Sequence, residues 1–375
     1  MPEFKKDVVV EVIRKYQPLS IESLDKTLFV TLEGDKAIKK YSDLDTLKAD
    51  YGISSYMYQG VTVANSQKDS NGNSIEPIYW YSASISSASG LVDLLEATTN
   101  SNDYYSIVVP FYDQTSIEAL ALWLTREEKV ALVIAPSENA VSTELRASDR
   151  IIFCYEDTYD TSTDIATDYK IFAWAGRTFY KGAVARWKDR ELQGVSYSLK
   201  ESDKITPFSR AYETTLFNLP AGGSIMSIVN KYNLTVTNGS FCANGIMHID
   251  QRMKLDWFKF SIQENLFKMM VQNEHVFMDD DPEAGLPMIE ATINRVMDIG
   301  GQKRLLARKS DGVSYAYSVK VPSTKDTTPQ TGITTDDLIA RTLRNVVIEA
   351  TLSTEVEYIQ VKFVWRDDVV EGVGI

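Results

Sequence analysis

Apolar residues recur along this chain with two periods, and the switch between them marks out its parts. The longest signal lies in the stretch from Ala243 to Phe277, ANGIMHIDQRMKLDWFKFSIQENLFKMMVQNEHVF, which reads as a strand running into one long helix. From Leu255 onward, Leu255, Phe258, Ile262, Leu266 and Met269 follow three- and four-residue steps. Trp257, Phe260, Phe267, Met270 and Val271 carry apolar surface onto the adjoining faces, leaving Arg252, Asp256, Lys259 and Gln263 as a polar stripe. A helix so nearly apolar all round is expected to be covered by other elements and to stand at a domain centre.

Elsewhere the pattern alternates between short apolar runs and helical spacing. Ser106 to Pro110, Val130 to Ala135 and Ile151 to Tyr155 read as buried strands, and Ser116 to Arg126 as a helix with Ile117, Leu120 and Leu124 on one face. That alternation predicts an α/β (α+β) fold with mixed sheets covered by helices. Before it come a strand over Thr27 to Leu32, a short helix capped by Ser42 and stopped at Gly52, a two-residue turn at Asn71-Gly72 and a strand over Ile78 to Ser82. After it come helices over Asp168 to Phe179 and Ile225 to Tyr232. Past the central helix, Asp279-Asp280-Asp281-Pro282 is expected to cap a helix over Leu286 to Met297, with Leu286, Ile289, Ile293 and Val296 on one stripe. A strand over Tyr315 to Val321, a short helix through Arg341 and a strand over Val346 to Leu352 complete the central part.

Both ends of the chain are strand-like. Val8, Val9, Val10, Val12 and Ile13 form an extended run broken by Pro18. At the other end, Tyr358 to Trp365 includes Tyr358, Gln360, Lys362 and Val364, and Val369 and Val370 follow in a short tail. Such segments can complete their own sheet or add to an exposed edge on another molecule.

Composition narrows the function more by exclusion than by motif. A net charge of −13 with two histidines argues against nucleic-acid binding. No apolar run is long enough to span a membrane, and no secretion or lipidation signal is visible, so the protein is expected to be cytosolic when made. Cys154 and Cys242 sit in apolar surroundings that suit buried free thiols. No glycine-rich turn follows the first strand of the α/β region, and Pro220-Ala221-Gly222-Gly223-Ser224 lacks the lysine of a phosphate loop. His248 and His275 have no nucleophile beside them and read as core or interface residues. The sequence therefore predicts no catalytic set, no metal and no cofactor. Its 20 tyrosines point instead to contact surface, where a side chain packs at one end and stays wet at the other.

Three parts of the chain resemble the sheath proteins of contractile phage tails, in particular a compact sheath-like family. They are KKYSDLDTLKADYGISSYMYQGVTVA, the helix signature IMHIDQRMKLDWFKFSIQENLF, and Ala284-Gly285 with the helix after it, followed by the Tyr317 to Pro322 strand and a paired-strand C-terminus. Met278-Asp279-Asp280-Asp281 stands where that family usually has an aromatic-Thr pair. The resemblance implies a structural subunit that forms hexameric rings stacked helically around a tail tube, joined by terminal arms that donate strands to neighbours. Its partners would be further copies of itself, the tail tube protein, and the baseplate and tail terminator proteins, with no nucleic acid and no direct membrane insertion. Its location would be a virion tail, assembled in the bacterial host cytoplasm. On this reading the chain divides into an N-terminal strand arm (1–20), an α/β sheath domain (21–210), a C-terminal α/β core domain (211–354) and a C-terminal strand and arm (355–375). Hinges are expected at Pro18 to Ser20 and around Asp367 to Gly372. Lys303, Arg304, Arg308 and Lys309, with Arg341 and Arg344, form a basic group expected to face the tube. Other readings are a non-contractile tail tube or other virion structural protein, and a cytosolic α/β enzyme.

Overall fold

The computed structural model of the chain describes residues 24–69, 71–75, 80–97, 104–136, 142–200, 225–231, 234–282 and 285–354. Both proposed arms lie outside these residues. The first elements are β1 (Thr27–Thr31), β2 (Lys36–Tyr41), α1 (Leu44–Tyr51), α2 (Tyr56–Asn65), β3 (Trp80–Ser84) and α3 (Leu91–Ala97). Next come β4 (Ser106–Val109), α4 (Gln114–Glu127), β5 (Val130–Ala135), β6 (Ile151–Tyr155), β7 (Tyr159–Asp160), β8 (Ile165–Ala166) and α5 (Lys170–Thr178). The remainder is β9 (Leu199–Lys200), β10 (Ser227–Lys231), β11 (Leu234–Asn238), α6 (Ile249–Gln272), α7 (Leu286–Gln302), β12 (Tyr317–Lys320), α8 (Thr335–Ala340) and β13 (Val347–Ala350).

The α/β expectation holds. Six strands form one sheet in the order β2-β3-β1-β4-β5-β6, parallel except for the antiparallel β2 at one edge. Side chains alternate across a strand, so each strand feeds two layers. Leu28, Val30, Ile107, Val109, Val133 and Phe153 face α3 and α4, packing with Leu95, Leu120 and Trp123. Phe29, Val108, Leu132 and Ile152 face the other way, into a core built from α2, α5 and α6. There Phe29 stacks on Phe172 at 5.4 Å between centroids, and Tyr105 meets Phe260 edge-on at 6.4 Å. At roughly 2 kcal/mol for each large side chain removed from water, these two layers are the main source of stability. At the other edge, Met226 pairs with β6 and leads into β10, which lies between β9 and β11.

Two helices are seated on glycine. A Cβ on Gly176 of α5 would lie 2.2 Å from Ala64 O of α2, and one on Gly60 of α2 would lie 2.6 Å from the Phe172 ring. The two helices cross closely because neither carries a side chain at the crossing. Gly300 and Gly301 do the same for α7, against Phe258 and Tyr315. That contact is why α7 runs on to Gln302 rather than stopping at Met297.

Several expectations are corrected. The N-cap of α1 is Asp43, whose carboxylate accepts from Thr46 N at 2.7 Å; Ser42 only donates to that carboxylate. An ionised acceptor next to the helix start outcompetes a hydroxyl one residue earlier. The turn around Asn71-Gly72 is longer than two residues, because the antiparallel bridge closes at Lys68 and Ser74 and Asp69 accepts from Asn71 N and Asn73 N. The segment expected as a helix over Ile225 to Tyr232 is strand β10, paired antiparallel to β11 with Val229 opposite Val236. Its β-branched Ile228 and Val229 find a cross-strand partner only a few residues on. A tight turn rather than a strand precedes α6: Cys242 N donates to Met247 O, and Asn244 Oδ1 accepts from Ile246 N and Met247 N. Asp279 caps α7 through its backbone, accepting from Leu286 N, while Gly285 holds the N-cap position. Helices α2 and α3 were not expected from the sequence pattern.

Candidate functional site

In parallel α/β sheets, ligands bind beyond the carboxyl ends of the strands, often at helix N-termini. Here two of those positions, beyond β1 and β4, are occupied by the chain itself. Glu33, just past β1, accepts from Tyr56 N at 2.6 Å and Met57 N at 2.8 Å, so its carboxylate covers the first turn of α2. Asp113, past β4, accepts from Ser116 N at 2.9 Å at the start of α4. Each carboxylate sits where a nucleotide-binding relative would hold a phosphate. Among the described residues no group of three His, Cys, Asp or Glu side chains is placed to hold a metal ion. Both cysteines are buried and free, and burial pushes both thiols well above the usual range, which keeps them un-ionised and unreactive. His248, half-buried, shares a hydrogen bond with Ser240 Oγ at 2.6 Å and packs on Phe241. His275 is exposed and stacks on Phe277, so it is not a core residue of this subunit.

Two members of the polar stripe on the central helix, Asp256 and Arg252, enter an ionic joint, whereas Lys259 is exposed. Asp256 is buried, and its carboxylate accepts from Arg150 at 2.8 and 3.2 Å, from Arg252 at 2.7 Å and from the Tyr105 hydroxyl at 2.8 Å. Arg252 reaches on to Asp149 at 3.0 Å. Burial opposes the charge on Arg150, but the Asp256 carboxylate more than offsets it and leaves the guanidinium net raised. Burial and then the Asp256 charge push the Tyr105 phenol well above its ordinary range. The joint bolts α6 to the sheet at the entrances of β4 and β6, with Asp256 and Arg150 buried and Arg252 and Asp149 at its partly exposed rim. A second buried charge, Lys170 at the start of α5, donates to Glu156 at 2.7 Å and to Asp157 at 2.5 Å. Burial pushes the Glu156 carboxyl up to about 7, against the pull of the Lys170 ammonium and Thr158.

The described residues also present exposed apolar and basic surfaces. Helix α6 is buried mainly in its first half, with Met269 the one buried residue past Ser261. Its second half turns Phe267 and Val271 out, at 68% and 69% exposure, with Met270 beside them, and Leu255 is also exposed nearer the start. The central helix is therefore not covered all round. β12 and β13 form a two-stranded antiparallel ribbon whose residues are half-buried or exposed. The basic residues lie in two places: Lys303, Arg304, Arg308 and Lys309 follow α7, and Arg341 and Arg344 follow α8. Arg308 is folded onto its own loop, donating to Gly312 O and Val313 O, and Arg344 pairs with Asp337 at 3.5 Å. Val8, Val10, Val12, Ile13, Tyr358, Gln360, Lys362, Val364, Val369 and Val370 lie outside the described residues. Sequence reasoning missed Glu33, Arg150 and Lys254. Each makes at least one of its key contacts with a residue 23 or more positions away, beyond the reach of local periodicity.

No family model matches the chain, and no curated protein matches it by sequence. Solved structures do. A chain in the cryo-EM structure of the anti-feeding prophage (AFP) baseplate, 6-fold symmetrised, matches with a TM-score of 0.61 at 16% identity, over 98% of this chain and 100% of that one. The sheath tail protein from Desulfitobacterium hafniense matches at 11% identity over 79% of this chain and 89% of its own, with a TM-score of 0.49. The expected resemblance to contractile-tail proteins thus holds at the level of fold: over nearly its whole length, this chain is built like a chain of a prophage baseplate.

Proposed function

We propose that this chain is a structural subunit of a contractile tail sheath, which polymerises as stacked hexameric rings around a tail tube and contracts to drive the tube through an envelope. The observation that carries the reading is the near full-length fold match to a chain of a six-fold symmetrised baseplate. Two features of the chain support it. The carboxyl ends of β1 and β4 are closed by Glu33 and Asp113, which suits a scaffold better than an enzyme. The β12–β13 ribbon is too small to be stable alone and offers edges to which an arm can add a strand. A donated strand of similar length gains about four backbone bonds at roughly 0.5 to 1.5 kcal/mol net each, modest singly but additive through a lattice.

On this reading the arms are residues 1–20 and 355–375, the hinges lie at Pro18 to Ser20 and Asp367 to Gly372, and the described body moves as a unit during contraction. The exposed basic residues Lys303, Arg304, Arg308, Lys309, Arg341 and Arg344 face an acidic tube. Negative-stain microscopy of the purified protein tests the proposal, with tubes or stacked rings expected. Single six-fold rings that do not stack would favour a second reading, a ring component of the baseplate, which the matched structure also suggests. Monodisperse lone particles at all concentrations would overturn both.

A further inference from the structure

The last described residues, Ser353 and Thr354, are the root of the segment 355–375, and that root is tied to the central helix. Lys254, in the second turn of α6, is buried. Its Nζ donates to Asp250 Oδ2 at 2.9 Å and to the backbone oxygen of Ser353 at 2.8 Å. Ser353 N donates to Leu305 O at 2.9 Å, and its hydroxyl donates to Arg304 O. One residue earlier, Leu352 pairs across to Leu306, which is buried. All three polar groups of Ser353 are engaged, by two separate parts of the chain.

Burying an ammonium is costly unless it is paired, and an apolar side chain at position 254 would fill the same space without that cost. What the lysine adds is position: a charged donor on a packed helix that reaches one particular carbonyl. Just before Ser353 the chain is held by backbone pairing, Thr351 N donating to Ala316 O and Ala307 N donating to Thr351 O, and no residue of β13 is buried. A pull on 355–375 with no tie at Ser353 would peel β13 from β12 one bond at a time. With the tie, the pull passes into α6 and, two residues on, through the Asp256 joint into the sheet.

We propose that Asp250, Lys254 and Ser353 form an anchor that makes the root of the C-terminal segment mechanically part of α6. This rests on reading that segment as an arm linking subunits, and deepens it by naming where tension enters the body.

The test pulls the full-length chain between its C-terminus and a handle at Leu122→Cys, an exposed position on α4, with the two native cysteines buried. The wild type and Lys254→Arg, whose guanidinium can still donate to the carbonyl, are expected to show no lengthening before the body unfolds. Lys254→Met is expected to show an early step of roughly 25 Å, as residues 347–354 come away at ~3.3 Å each, at no more than half the unfolding force. If Lys254→Met does not fold, the double variant Asp250→Leu with Lys254→Met, which removes the buried charge pair whole, is read in the same way. An early step in the wild type, or none in the variant, overturns the anchor. Microscopy of the same wild-type preparation separates the two claims: an intact anchor with no rings or tubes overturns the proposed function and leaves the anchor standing.

Discussion

The six-stranded sheet and the β12–β13 ribbon are built from similar residues and meet opposite fates. Every residue of β1, β3, β4 and β5 is buried, between helices on both faces. The ribbon has four pairs, from Tyr317 opposite Ala350 to Lys320 opposite Val347, and exposed positions on both strands. The sheet is covered by this chain's own helices on both faces; the ribbon, among the described residues, has no buried position on either strand. Stability should therefore reside in the first region and assembly in the second, and substitutions can separate the two.

The largest effect is expected at the buried joint. Asp256→Ala leaves Arg150 buried without its carboxylate and should cost about 3 to 5 kcal/mol in equilibrium denaturation. A cost under 1 kcal/mol would show that the joint is dispensable and that the sheet does not depend on α6. Next, Gly176→Ala drives a methyl group into the Ala64 carbonyl and should cost about 2 to 3 kcal/mol by separating α2 from α5. An unchanged melting temperature would mean the crossing is looser than its geometry.

A smaller effect comes from Glu156. Its carboxyl is pushed from 4.5 to about 7 in the folded chain, so between these pH values the folded state holds more protons than the unfolded state. Stability from this group is then fully present below pH 4.5 and lost as pH rises through about 7, with a slope of up to about 1.4 kcal/mol per pH unit. Glu156→Gln should flatten denaturation midpoints between pH 5 and 7; an unchanged slope would assign the dependence elsewhere. The smallest effect on folding is expected in the ribbon. Val347→Thr, at an exposed position, should change stability by less than about 0.5 kcal/mol yet lower the yield of rings or tubes. Loss of folding with assembly intact would reverse the comparison.

What the sequence revealed follows the same divide. β5 and β6 were legible to the residue because a strand covered on both faces is a continuous apolar run, VALVIA and IIFCY. Helix α2 was hidden by its own packing: YMYQGVTVAN carries a glycine and two valines that argue against a helix, and Gly60 is there to admit Phe172. β10 was misread because a short apolar run does not declare its period until its partner strand is known. Asp256 and Arg252 read only as part of a polar stripe, because the guanidinium that joins them to the sheet, Arg150, lies 106 residues from Asp256 in sequence.

Glu33 has a consequence outside mechanics. A helix N-terminus beyond a parallel strand is the place where a cell's phosphate metabolites ordinarily gain a hold on an α/β protein, and here a carboxylate from the same chain is already seated there. Because that seat is filled intramolecularly, a phosphate could take it only by first displacing a carboxylate that the chain itself holds at high effective concentration.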